Sequence, residues 1–242
     1  MENNREKPYM NRFLRTIYWD LLLQLRYQII TVAIVITATY TLVFKLLAKD
    51  GFDQVLVLLI FSDPAMIGFI FIGALVLFEK GSGTINALIV TPLRKSAYLF
   101  SKVISLGLIA IICSLVMAIA GHGWRFNYFL FIYGVAFTSF IFTLIGFIGV
   151  SRVKSMNQFV IIIPFFLIPF VLPLLNFFNL TNSWILYLIP TQAFLDLLWA
   201  SFYPVSAGRI IYSLIYLPIW LGLVYYFALR AFDRNIIISS CA

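Results

Sequence analysis

Apolar runs of 18 residues or more recur along this 242-residue chain. At 1.5 Å of rise per helical residue, each is long enough to cross a hydrocarbon core of about 30 Å. Hydrophobic residues make up 63% of the sequence and charged residues only 11%, too few to cover a water-facing surface. The solvent for most of the protein is therefore lipid. Lipid offers no partner to a bare peptide group, so only helices or a closed barrel can span it. The runs do not alternate as barrel strands do, which selects helices.

The spacing predicts an all-α polytopic membrane protein of one domain, residues 1–242, with six spans near 28–48, 55–78, 103–120, 126–150, 158–175 and 208–229. In the stretch before them, residues 1–27, Phe13, Leu14, Ile17, Leu21 and Leu25 recur at helical spacing, while Arg12, Arg15, Asp20, Gln24 and Arg26 are polar. This pattern predicts an interfacial helix, with Tyr18 and Trp19 at headgroup level. Residues 176–207 are apolar enough to resemble a seventh span, but Pro190, Thr191, Gln192 and Asp196 interrupt them. They are read as an outer re-entrant element that does not cross.

The 17 lysines and arginines against nine acidic residues look at first like a phosphate-binding balance. Their distribution argues otherwise. With six spans, 13 of the 17 fall on the side shared by both ends of the chain; only Lys45, Lys49, Arg125 and Arg209 fall on the other. That asymmetry orients the chain with both termini cytoplasmic and needs no nucleic acid. The first apolar run is too long for a signal core, and Cys113 and Cys241 are too differently placed to suggest a disulfide.

Enzyme signatures are sparse. The single histidine, His122, sits between two glycines in a short turn, so no metal site is expected. No phosphate-binding G-x-x-x-x-G-K-[ST] occurs, so no cofactor is expected on this chain, and any ATP must be handled elsewhere. An intramembrane enzyme would need clustered catalytic groups that the sequence does not offer. Within the spans, Ser62-Asp63-Pro64 reads either as a helix start capped by Asp63 or as an intramembrane carboxylate facing substrate, and the two can hold together. Thr37, Tyr40 and Thr41 give the first span a polar stripe. Pro164 and Pro169, with Pro173, each free a carbonyl in the fifth. These residues and Asp63 are the candidates for a substrate pathway. Gly146 and Gly149 are read as packing glycines.

The loop at 79–102 carries the densest pattern: Glu79, Gly83-Thr84, Asn86, Leu88, then Thr91-Pro92-Leu93 and Lys102. Glycines precede a short apolar piece, Ile85 to Val90, and a Thr-Pro stop follows it. Taken on physics alone this is equally a solvated connector or a shaped contact. The pattern resembles the loop of ABC transporter type-2 exporter permeases, and Asp63-Pro64 through Phe78-Glu79-Lys80 is most similar to small permeases grouped with fluoroquinolone exporters. The resemblance implies a coupling helix here, with Glu79, Gly83, Thr84, Asn86, Leu88, Thr91, Pro92 and Leu93 contacting a separate P-loop ATPase that holds ATP and Mg. It further implies a second permease copy or related chain, a bacterial plasma-membrane location, and outward transport of a hydrophobic or amphipathic compound such as a drug. The alternative is a proton-coupled secondary transporter using Asp63, against which the lack of an internal repeat argues.

Impermeant thiol labelling checks this layout in intact cells, in a background with Cys113→Ser and Cys241→Ser. Gly123→Cys and Asn182→Cys should react, whereas Ser82→Cys, Ser155→Cys and Asn235→Cys should not. Reaction at Asn235→Cys without reaction at Asn182→Cys gives an odd number of spans and overturns the layout.

Overall fold

The computed structural model describes residues 7–47, 53–62, 66–84 and 95–234, and every long element among them is a helix. The chain runs α1 (Lys7–Arg26), α2 (Ile29–Leu47), α3 (Asp53–Ile60), α4 (Met66–Gly81), α5 (Lys95–His122), α6 (Tyr128–Ser151), α7 (Met156–Val171) and α8 (Pro173–Phe177). A 3-10 turn (Trp184–Leu188), α9 (Pro190–Phe202) and α10 (Ala207–Phe232) complete it. Among the described residues, α2, α5, α6, the α7–α8 stretch and α10 are each long and apolar enough to cross a membrane. This is an all-α polytopic membrane protein.

The elements depart from the expected spans in instructive ways. The second predicted span is split into α3 and α4, with Asp63 and Pro64 between them outside the described residues. The third, α5, is far longer than 103–120: 28 helical residues rise about 42 Å, more than a hydrocarbon core of about 30 Å. The re-entrant segment contains α9, whose 13 residues rise about 20 Å and fall short of a crossing. Pro190 at its first turn needs no backbone donor there, which suits it to start the helix.

The bundle is organised on α6. Asn127 caps its start, accepting from the amides of Phe129 and Leu130 at 3.1 and 3.3 Å. Around α6 pack α4, α5, α9 and α10, and Phe131, Phe142 and Phe147 of α6 are fully enclosed. On α9, Ala193, Phe194, Leu195, Leu197 and Leu198 are fully enclosed too, so this short helix is core rather than surface. By contrast α7 buries only Phe159 and leaves Ile161, Phe165 and Ile168 uncovered, as a helix facing acyl chains or another apolar chain does.

The α4–α6 seam brings two helix backbones close together. A Cβ on Gly146 would lie 2.5 Å from the carbonyl oxygen of Phe69, and one on Gly68 would lie 2.6 Å from the Thr143 hydroxyl. Small residues are what let two helix backbones approach this closely in lipid. Gly149 differs from the sequence reading, since a Cβ there would make only ordinary contacts at 3.7 Å or more.

Gly146→Ala is therefore expected to destabilise the protein by about 1–3 kcal/mol through overpacking, while Gly149→Ala on the same helix costs little. Thermal unfolding in detergent checks the contrast; equal effects at the two positions would contradict the seam.

Candidate functional site

Helix α1 turns polar side chains into the bundle and leaves apolar ones uncovered. Trp19 is 61% exposed, Leu14, Tyr18 and Leu25 are also uncovered, and the side of α1 turned into the bundle carries Asp20 and Gln24. The sequence marks those two as polar among the apolar residues of the helix, and the structure shows that they face the bundle. In lipid an exposed leucine costs nothing, whereas an unpaired carboxylate or amide costs several kcal/mol, so the polar residues are the ones that turn inward.

What they meet is Lys102, on the first third of α5. The Lys102 Nζ donates to Asp20 Oδ1 at 2.9 Å and to Glu79 Oε1 at 2.6 Å. Tyr98, one turn earlier on α5, donates its hydroxyl to the other Glu79 oxygen at 2.6 Å, and the Lys102 ammonium lies 4.9 Å from the centre of the Tyr98 ring. One turn later, Gln24 donates to the Ser105 hydroxyl at 2.7 Å. Lys102 is 1% exposed, Glu79 5% and Asp20 6%, so this is an enclosed ion cluster. One ammonium serves two carboxylates, and Asp20 Oδ2 and the Gln24 carbonyl oxygen have no hydrogen-bond partner.

The position of the cluster gives it meaning. Glu79 is in the last turn of α4 and Lys102 in the second turn or so of α5, so their ion pair closes the neck of the loop between those helices. Asp20 ties α1 to the same neck. A second lysine anchors it from the other side: Lys80 Nζ donates to the carbonyls of Val150, Ser151 and Val153 at 3.0, 3.2 and 3.0 Å, placing a positive charge on the negative end of α6. Lys95 pairs with Asp233 at the end of α10. Helices α1, α4, α5, α6 and α10 thus converge on the base of one loop.

The sequence-predicted residues divide accordingly. Glu79, expected at a partner contact, is instead enclosed within the chain and already engaged by Lys102 and Tyr98. Gly83 follows α4 with φ of +70°, a left-handed conformation that favours glycine, and Thr84 beside it is exposed. Asn86, Leu88, Thr91, Pro92 and Leu93 lie outside the described residues, as does Asp63. Thr37 is 4% exposed and donates to the carbonyl of Ala33 at 2.8 Å, so its hydroxyl is spent within its own helix. The Thr41 hydroxyl is buried without a partner, Tyr40 packs partly buried against the core, and Pro164 and Pro169 lie on the uncovered face of α7. His122, read as a plain turn residue, packs its ring 4.7 Å from that of Phe202, with Nδ1 3.5 Å from Asp53 Oδ1. Tyr203 donates to the same carboxylate, which pushes the tyrosine's own ionisation upward.

The polar inward face of α1, the bracketed loop and the enclosed α9 are held in a chain whose residues 11–240 match the model of the fluoroquinolones export permease protein family. The chain belongs to that family. Two relatives named as fluoroquinolones export permease proteins, from the CDC 1551 / Oshkosh and H37Rv strains of Mycobacterium tuberculosis, are each 34% identical to it over 161 residues. The match covers 64% of this chain and 67% of each relative. Within this permease, the pairing of Asp20 with Lys102 was legible only after the fact: Asp20 and Gln24 stand four apart on the face that also carries Ile17, and Glu79 and Lys102 bracket the loop with opposite charges.

Deleting one partner strands a buried charge, so Lys102→Met in this permease should cost about 3–5 kcal/mol. Replacing the whole cluster, Asp20→Leu with Glu79→Met, Lys102→Met and Tyr98→Phe, should recover most of that loss, because no charge is then left unpaired. Unfolding midpoints in one detergent check both arms. A single variant as stable as the parent would show that the cluster is not enclosed as described.

Proposed function

We propose that this family member is the membrane-spanning subunit of an ATP-driven exporter of the ABC type-2 class, without an ATPase site of its own. A separate P-loop ATPase carrying ATP and Mg docks on the loop at 79–93. The transported compound is hydrophobic or amphipathic, in keeping with relatives named for fluoroquinolone export. A second copy or a related chain completes the pathway, and the uncovered apolar face of α7 suits that contact or lipid.

The observation that carries this reading is the closed neck of the loop. A partner that pushes on a floppy loop moves only the loop. Here the neck is pinned by Lys102 to Glu79 and Asp20, and beside it by Lys80 to the end of α6, so displacement of the loop tip is passed to four helices at once. Long-range coupling needs such a chain of packed and paired groups. The role of Glu79 within this proposal is accordingly to position the loop from inside, leaving the exposed Thr84 and the residues after it to meet the partner. We put the basic end of the bundle, with Arg152, Arg230 and Arg234, on the cytoplasmic side, where the partner ATPase would meet it.

Leu88→Asp tests the docking. A charge in an apolar contact carries a desolvation penalty of several kcal/mol, so the variant should fold, lose the ATPase on purification and lose transport. Full retention of the partner and of substrate-stimulated hydrolysis would place the docking elsewhere.

A further inference from the structure

The end of the bundle opposite the loop holds a cavity of about 590 Å³, walled by α9, the start of α10 and the stretch from α8 through the 3-10 turn. Two of its lining side chains are unlike ordinary surface polar groups. Asp196 is 8% exposed and Gln192 3%, both on α9 among fully enclosed neighbours. The Gln192 amide donates to Asp196 Oδ1 at 3.3 Å, which leaves Asp196 Oδ2 and the Gln192 carbonyl oxygen without partners. Both are hydrogen-bond acceptors, and they stand one helical turn apart on the same face.

The other charged group lining the cavity is Arg209 of α10, and none of the ion pairs among the described residues joins it to Asp196. Burial raises the Asp196 carboxyl to about 6, even with Arg209 and Gln192 pulling it down. It is thus enclosed and joined to no cation by an ion pair, so a cationic ligand beside it would favour its charged form. Trp199, Tyr187 and Phe177 line the same space, with the Trp199 and Phe177 rings packed edge to face at 5.7 Å. A pair of empty acceptors bearing a negative charge, beside aromatic rings, is complementary to a cation that carries N–H donors. An anion would be drawn to Arg209 and away from the two empty acceptors, and a bare metal ion would find a single carboxylate among the lining side chains.

We propose that this cavity is a binding site for a compound presenting a protonated amine on an aromatic or apolar body, with Asp196 Oδ2 and the Gln192 carbonyl accepting from the ammonium and the rings of Trp199 and Tyr187 flanking it. The inference deepens the exporter reading by naming a ligand class and rests on that reading only for the ligand's being transported. Binding is measured without any ATPase, so failure of the site and failure of the docking are separate outcomes.

The experiment uses the full chain in lipid nanodiscs, with empty nanodiscs as blank, titrated calorimetrically with 2-phenylethylamine and with its uncharged counterpart 2-phenylethanol. The amine should bind saturably and at least about tenfold more tightly than the alcohol, and Asp196→Asn should weaken the amine by about tenfold while leaving the alcohol unchanged. A second measurement on the unaltered chain guards against a variant that fails to fold. Dicyclohexylcarbodiimide should modify Asp196, read by peptide mass, and the amine but not the alcohol should protect it. Equal binding of amine and alcohol, unchanged amine affinity in a folded Asp196→Asn variant, or lack of selective protection would each overturn the proposal.

Discussion

Lys102 sits where neither water nor a lipid headgroup reaches it, and its charge persists there because Asp20 and Glu79 arrive from two other helices. Lipid makes that pairing obligatory, since an ion left alone at such a site neutralises or drags the structure open. Each of the three groups is fixed by the others. The pairing in turn fixes which face of α1 looks inward, how far α4 and α5 stand apart at the base of their loop, and where α1 crosses α5. Net stabilisation by such a cluster is small compared with an apolar replacement, so its value lies in geometry more than in stability.

From that constraint the rest of the basic end follows. With α1 held by its polar face, its tryptophan and leucines are free to meet acyl chains. Gln28, in the left-handed region at φ of 60°, turns the chain from α1 into α2, and Tyr27 stacks on Phe78 of α4 at 4.5 Å across that corner. Lys80 reaches the carbonyls of Val150 and Ser151 at the end of α6 and of Val153 just beyond it, supplying a charged donor to the helix terminus. At the opposite end the chain is tied differently. His122, Asp53 and Tyr203 join the ends of α5, α3 and α9, and the Asn127 amide donates to the carbonyl of Ser201 at 2.8 Å. One end is thus pinned around a loop and the other around a cavity.

The all-helical class was legible in the sequence because long apolar runs in lipid admit few alternatives. The end of α5 nearest the loop was not. Its first turns, with Lys95, Tyr98 and Lys102, are too polar for a hydropathy argument to include, and they become helical because α1 and α4 supply partners. The inward face of α1 was not legible for the same reason: the local pattern does not say which polar residues turn inward until Lys102 and Ser105 are known to stand opposite Asp20 and Gln24. Gly146 was correctly singled out, but nothing in its spacing separates it from Gly149; only the closeness of the Phe69 backbone does. Pairing partners 82 residues apart, such as Asp20 and Lys102, leave no local pattern.

The central claim is that the ion cluster transmits motion from the loop to the bundle, over and above holding the fold. The direct measurement is drug transport and ATP hydrolysis side by side in complexes reconstituted with the proposed ATPase partner and carrying Asp20→Leu, Glu79→Met, Lys102→Met and Tyr98→Phe together. The account predicts a folded complex that keeps its ATPase and hydrolyses ATP while transport collapses, because the loop then moves without taking α1 with it. Transport at the parental rate per ATP hydrolysed would contradict it.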